Sequence, residues 1–106
     1  MKVIYNRLIP FGRNFLAINL FGVVFAKGHC DAVTIRHESI HTAQMRELLF
    51  VPFYIWYVVE WVVRCVQYGG FQSGYRNISF EREAYARQRD ADYLKRRRRF
   101  AFLDYL

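Results

Sequence analysis

The segment HESIH at positions 37–41 is the feature that most restricts the fold of this chain. His37 and His41 are four positions apart, and Glu38 directly follows the first histidine. On an α-helix, side chains four positions apart lie one turn apart on the same face, so both imidazoles can reach one ion. The motif therefore predicts a helix whose histidine face is turned towards other parts of the protein.

The helix around this motif is expected to cover about 32–50, with Asp31 as its N-cap. Its apolar positions include Val33, Ile40 and Leu48, and the two histidines lie close to the line through them. A polar motif on a core-facing side is well placed to hold a metal ion. The alternative is that both histidines are ordinary helix residues, hydrogen-bonded to Glu and Gln side chains.

Zn²⁺ is the cofactor that this residue pattern predicts. A catalytic zinc takes three protein ligands in a tetrahedral shell and keeps one position for water. It lowers the pKa of that water towards neutrality, and a neighbouring carboxylate can take the proton as the water attacks a carbonyl. We therefore expect His37 and His41 to be zinc ligands and Glu38 to be the general base of a hydrolase acting on a peptide or protein substrate.

The third protein ligand is left open by the motif itself. The candidates are His29 and Cys30 before the motif helix, Glu60 in the following apolar segment, and Glu81 and Glu83 further along the chain. Glu81 and Glu83 are two positions apart on a predicted helix, so they are not expected to face one ion together.

HESIHTAQ, followed about forty residues later by FEREAY, resembles the gluzincin branch of the zinc metallopeptidases. The minimal peptidase domains of prenyl-protein endopeptidases and of β-lactam sensor-transducer peptidases are similar. In this branch the third ligand is a glutamate in a helix written E-x-x-x-D, which the resemblance places on Glu81, with Glu83 as the alternative. The resemblance covers residues 37–44 and 80–85.

The resemblance also implies surroundings for the site. In that family the aspartate accepts a hydrogen bond from a ligating histidine, and Tyr85 stands at its position here. Gln44 is expected to support the site or to pack beside it. Zincins commonly lay a peptide along an edge strand beside the motif helix, which would be segment 15–26. The candidates for an oxyanion donor are Tyr68, Tyr75, Arg76 and Tyr85.

An α+β fold is expected for residues 1–106, as a single minimal zincin-like domain. Segments 2–9 and 15–26 are rich in β-branched and aromatic residues, and Gly22 marks a bulge or hairpin point. They predict a small N-terminal antiparallel sheet or hairpin, followed by three helices. A secretion signal is the weaker alternative for the N-terminal segment, because Asn19 and Gly22 interrupt its apolar run.

The two later helices differ in composition. The second, 52–68, is apolar nearly all round and is expected to be a buried central helix, with a membrane or partner surface as the alternative. Its uncharged run is too short to span a membrane. The third helix is expected to begin at an N-cap on Ser79 and to end in the basic residues 95–99.

The formal net charge of +7 is concentrated in LKRRRRF at positions 94–100. This run predicts either a solvated helix end or contact with an anionic membrane surface, and no motif for nucleic acid accompanies it.

Cys30 and Cys65 form no disulfide framework, which favours free thiols in a reducing compartment such as the cytoplasm. Two other functions remain open, a zincin-fold regulatory or binding protein with little turnover and a membrane-associated helical protein.

Overall fold

The computed structural model describes residues 2–6 and 17–106, which form an α+β fold, as predicted. The strands are β1 (Lys2–Tyr5), β2 (Ala17–Leu20) and β3 (Val23–Ala26). In this part of the chain five helices follow, more than the three predicted: α1 (Ala32–Glu47), α2 (Val51–Tyr68), α3 (Phe71–Arg76), α4 (Ser79–Arg87) and α5 (Tyr93–Arg96). A 3-10 turn covers Ala101–Tyr105.

The sheet has the order β1-β3-β2 and is mixed rather than antiparallel. β2 and β3 form an antiparallel hairpin at Phe21 and Gly22, whose φ angles of 53° and 90° suit a tight hairpin turn, so the predicted hairpin point is confirmed. β1 pairs with the other edge of β3 and runs parallel to it, which corrects the antiparallel prediction. The predicted strand positions 7–9 and 15–16 lie outside the described residues.

α1 begins where the sequence predicts. The Asp31 side chain accepts a hydrogen bond of 2.8 Å from the Thr34 amide, so the predicted N-cap is confirmed. The helix ends at Glu47 rather than Phe50, because Leu49 and Phe50 adopt positive φ angles of 60° and 66°. The chain bends by 113° between α1 and α2.

α2 covers the predicted segment but is not a buried central helix. Only Phe53 and Glu60 of its residues are buried. One side packs on an aromatic core that contains Met45, Phe53, Ile78, Phe80 and Phe102. The other side is exposed, and no other element among the described residues covers it. No single helix in residues 2–6 and 17–106 is long and apolar enough to cross a membrane, whereas α1 and α2 meet that criterion as a bent pair.

The start of α4 depends on α2. Ser79 is not the N-cap as predicted, because Ile78 occupies that position without a capping side chain. Instead, the Glu60 carboxylate of α2 accepts hydrogen bonds of 2.6 Å from both the amide and the hydroxyl of Ser79. A carboxylate at this end also suits the helix dipole. Glu60 therefore caps α4 from a distant part of the chain.

The predicted third helix is interrupted after α4. The Asp90 side chain accepts a hydrogen bond from the Asp92 amide, a local contact that competes with helix formation. Tyr93 then packs with Ile40 and Ala84 in a second buried cluster. The basic run 95–99 consequently is not a continuous helix end, since α5 stops at Arg96 and Arg97 binds Glu47 at the end of α1.

Candidate metal centre

His37 and His41 converge on the buried face of α1. The two residues are 7% and 5% exposed, and their ring centroids are 4.8 Å apart. Their Nε2 atoms are separated by 3.1 Å. The helical spacing thus brings both nitrogens to one point, away from solvent.

Glu81 of α4 closes this point from the opposite side. Its Oε1 lies 3.1 Å from Nε2 of His37, and its Oε2 lies 3.1 Å from Nε2 of His41. In a tetrahedral zinc shell with bonds of about 2.0–2.1 Å, neighbouring ligand atoms are about 3.3 Å apart. Across residues 2–6 and 17–106, these three side chains form the only group of His, Cys, Asp or Glu close enough to share one ion.

Two glutamines fix the orientation of the histidines. Nδ1 of His37 donates to Oε1 of Gln88 at 2.8 Å, and Nδ1 of His41 donates to Oε1 of Gln44 at 2.7 Å. With Nδ1 as the donor to a glutamine in each ring, Nε2 is the nitrogen directed towards Glu81, and in a neutral ring its lone pair is available to a metal ion. Acceptors on the outer nitrogen are the usual support of a metal-ligating histidine.

The amide of Gln44 is itself held in one orientation. Its Nε2 donates to the Phe80 carbonyl oxygen at 3.1 Å and to Oε1 of Glu83 at 3.0 Å, which leaves Oε1 for His41. Glu83 faces away from the histidines and binds Arg97 at 2.5 and 2.9 Å. Glu83, the alternative third ligand, therefore acts on the site only through Gln44.

Charge in the cluster is balanced between Glu81 and the imidazoles. Although burial alone would lower the pKa of His41, the adjacent Glu81 carboxylate raises it to about 9. Burial alone would raise the pKa of Glu81, but the neighbouring His41 and His37 hold it well below its usual range. The three side chains could therefore hold a metal ion in place of the proton on His41.

Tyr57 of α2 also contacts the cluster. Its hydroxyl donates to Oε2 of Glu81 at 2.7 Å. Burial and the charge of Glu81 raise the pKa of Tyr57 well above its usual value, so the hydroxyl remains a donor. This contact fixes the second carboxylate oxygen and links α2 to the site.

Glu38, the predicted general base, is 8% exposed and lies within the electrostatic influence of the cluster. Burial raises its pKa above the usual value, although His41 and His37 act in the opposite direction. A raised pKa makes a carboxylate a better proton acceptor near neutral pH. Asn19 of the edge strand β2 donates to the Glu38 carbonyl oxygen at 2.9 Å and to Oγ1 of Thr42 at 2.8 Å, which ties that strand to the motif helix.

Tyr85 touches His37 but not through a hydrogen bond to its Nδ1. The two rings meet edge to face with centroids 4.5 Å apart, while the Tyr85 hydroxyl lies 3.4 Å from that of Tyr75. The resemblance places the acceptor of the His37 Nδ1 hydrogen bond at position 85. In the structure Gln88 provides this acceptor instead. The four oxyanion-donor candidates line one polar surface pocket of about 460 Å³: Tyr68, Tyr75, Arg76 and Tyr85.

The other ligand candidates lie outside the cluster. His29 is exposed, Cys30 is buried near its own loop, and Glu60 caps α4. Sequence reasoning missed Gln88 and Tyr57 as partners of the site. Gln88 is seven positions, or two helical turns, after Glu81, so both fall on the same helix face and the spacing could have identified Gln88. No sequence pattern indicated Tyr57, which lies on a different helix.

No protein-family model matches this sequence, and comparisons with curated proteins and with solved structures give no match.

Proposed function

We propose that this chain binds Zn²⁺ through Nε2 of His37, Nε2 of His41 and the carboxylate of Glu81. The observation that carries the proposal is the convergence of these atoms at 3.1 Å while both Nδ1 atoms are held by glutamines. Two imidazoles and one carboxylate are a donor set that suits zinc, and the spacing between them is close to that of a tetrahedral shell. The donor chemistry therefore fits the ion that the sequence predicts.

The proposed activity is hydrolysis of peptide bonds by a zinc metallopeptidase of gluzincin type, with a zincin-like fold. When bound, zinc supplies Lewis acidity, which activates water and polarises a carbonyl. Glu38 is the group on this chain that accepts a proton, and its raised pKa supports that role. Tyr57 and the two glutamines keep the ligands in place before substrate arrives.

The surroundings of the centre support a peptide as substrate. β2 is an edge strand among the described residues, and Asn19 joins it to the motif helix. Tyr54 donates to the Asn19 carbonyl oxygen at 3.2 Å, so an extended peptide that pairs with this edge would have to displace that contact. The polar pocket beside Tyr85 adjoins the ring that contacts His37. We propose that a peptide substrate binds along the β2 edge and in this pocket.

Metal analysis tests the ligand set. Purified protein dialysed against excess zinc should retain one equivalent, and His37→Ala or His41→Ala should lose it. His29→Ala is the matched control, because His29 is exposed and lies outside the cluster. Loss of zinc in the control, or its retention in both cluster variants, would show that the metal binds elsewhere.

Glu38→Gln tests the activity separately from the metal. The variant should keep one equivalent of zinc and lose hydrolysis of a mixed peptide library, because an amide cannot accept the proton. Hydrolysis that persists in Glu38→Gln would remove this residue as the base and indicate a contaminating peptidase.

A zinc protein with little turnover is the second candidate. It is favoured by the burial of the whole cluster, in which Glu81 is 3% exposed and Glu38 is 8% exposed. Such burial restricts the approach of a polypeptide. Full zinc occupancy together with no cleavage in the library would select this function.

A further inference from the structure

The exposed side of α2 is uniformly aliphatic. Seven of its residues are 48–81% exposed: Val51, Ile55, Val58, Val59, Val62, Val63 and Val66. At about 100° per residue they fall, together with Pro52, within an arc of about 140°. This aliphatic face contains no charged, polar or aromatic residue.

A helix on the surface of a soluble protein usually carries polar and charged residues on its outer side, which the aliphatic face of α2 lacks. Five of the six aromatic side chains of α2 pack inwards, where Phe53 and Phe80 have centroids 4.5 Å apart, and only Tyr68 at its end is exposed. The aliphatic side chains point outwards. Contiguous apolar patches of this kind mark interaction sites for proteins or membranes.

The aliphatic face continues onto neighbouring parts of the chain. Leu49, at the corner before α2, is 78% exposed. Phe102 of the 3-10 turn packs against Trp56 with centroids 5.2 Å apart. The adjacent Leu106 lines a shallow groove with Pro52, Ile55, Val59 and Val63. The apolar surface is thus wider than one helix.

A cationic segment lies at one end of this surface. The Phe100 amide donates to Glu47 at 2.6 Å and Arg97 binds the same carboxylate at 3.0 Å, which holds the segment on the last residue of α1, near Leu49. Its exposed cations are Lys95, Arg96, Arg98 and Arg99. Arg96 pairs with the half-buried Asp90, and Arg98 pairs with the exposed Asp104; ion pairs of exposed cations are weak.

We propose that the aliphatic face of α2 docks on an anionic lipid bilayer, with the helix axis in the membrane plane and the arginine-rich corner against lipid phosphates. Aliphatic side chains beside clustered cations are typical of membrane-surface helices. Protein interfaces are instead anchored by Trp, Tyr, Met and Arg, and the aliphatic face of α2 contains none of these residues. This surface is independent of the metal centre.

Docking in this orientation would place the candidate centre near the membrane. Tyr57, on the inner side of α2, contacts Glu81, so the centre lies roughly one helix diameter, about 10 Å, behind the docked face. The same helix would then contact lipid on one side and the histidine cluster on the other.

Flotation with vesicles tests the proposal. The wild-type chain should float with phosphatidylcholine vesicles that contain phosphatidylglycerol, and Val62→Glu should weaken this binding about tenfold or more. Gln67→Glu is the matched control, because it adds the same charge to an exposed position of α2 outside the aliphatic face. Circular dichroism checks that both variants remain helical.

The cationic corner is tested with a second pair. Arg99→Glu should weaken binding at low salt, whereas Arg89→Glu, with the same change in charge, should have little effect because Arg89 lies near Asp31 at the other end of α1. Equal vesicle binding by wild type and Val62→Glu would overturn the proposal. Equal binding to vesicles with and without anionic lipid would also overturn it. A wild-type chain that does not bind vesicles but forms a dimer, which Val62→Glu dissociates, would overturn it as well.

Discussion

Glu81 and Glu83 are two positions apart on α4, and both are buried, yet they are neutralised in different ways. Glu83 binds the guanidinium of Arg97 and accepts a hydrogen bond of 2.6 Å from Tyr93. Glu81 has two imidazoles and the Tyr57 hydroxyl as partners. One carboxylate has a permanent cation beside it, and the other has partners that carry charge only when protonated.

This difference separates a structural ion pair from a candidate ion site. Arginine stays protonated at every relevant pH, so the Glu83 pair is complete without any further ligand. Burial alone would raise the pKa of Glu83, but hydrogen bonds from Arg97, Tyr93 and Gln44 lower it. Around Glu81 the balancing charge is a proton on His41, which a metal ion can replace.

The largest expected effect is on folding when the Glu83 pair is broken. Glu83→Ala should lower the free energy of unfolding by about 3 kcal/mol or more, because Arg97 would stay charged with Glu47 as its remaining partner. Chemical denaturation in EDTA measures this. Asp104→Ala is the control, since it removes the exposed partner of Arg98 and should cost less than about 0.5 kcal/mol. Equal losses in the two variants would show that burial does not distinguish these pairs.

Glu81→Ala should mainly lower the affinity of the protein for zinc. We expect zinc affinity to fall by more than about a hundredfold, beyond what loss of an outer partner causes. The folding loss in EDTA should be smaller than for Glu83→Ala, because both histidines can become neutral and keep their glutamine partners. Competition with a chromophoric chelator gives the affinities. A greater loss of zinc affinity in Glu83→Ala would move the proposed site by two residues.

Local sequence signals predicted the parts of the fold that depend on neighbouring residues. The Asp31 cap, the hairpin at Gly22 and the histidine face of α1 all follow from short spacing rules. The start of the third predicted helix did not follow from such rules, because Glu60 caps α4 from another helix. Its interruption is a local turn at Asp90, which the helical pattern of the segment masked. The parallel pairing of β1 likewise depends on which edge of β3 the hairpin leaves open.

The same division applies to the candidate site. Helical spacing and the resemblance selected His37, His41 and Glu81, which the fold brings together. The partners that orient them could be predicted only in part, since Gln44 lies on the motif helix but Tyr57 reaches the site from α2. Such contacts depend on how helices pack, which one sequence does not encode in any local pattern.

A smaller effect is expected when an outer partner of the histidines is removed. Gln88→Ala should weaken zinc binding about 10–100-fold, because Nδ1 of His37 would lose the acceptor that orients its ring. Gln67→Ala, an exposed glutamine of α2, serves as the control. Tyr85→Phe should change affinity less, since Tyr85 contacts His37 through its ring. A larger effect in Tyr85→Phe would identify its hydroxyl as the support.

The pH dependence of zinc binding is the finest test of the difference between the two carboxylates. Because Glu81 raises the pKa of His41 to about 9, that imidazole carries a proton at pH 7 in the metal-free chain. Zinc binds only the neutral ring, so binding should release about one proton at pH 7 and affinity should rise about tenfold per pH unit until about pH 9. Calorimetric titration in two buffers of different ionisation enthalpy measures the released proton. In Glu81→Gln the charge that holds this proton is gone, so binding should release fewer protons. Unchanged release would mean that Glu81 does not hold the proton on His41.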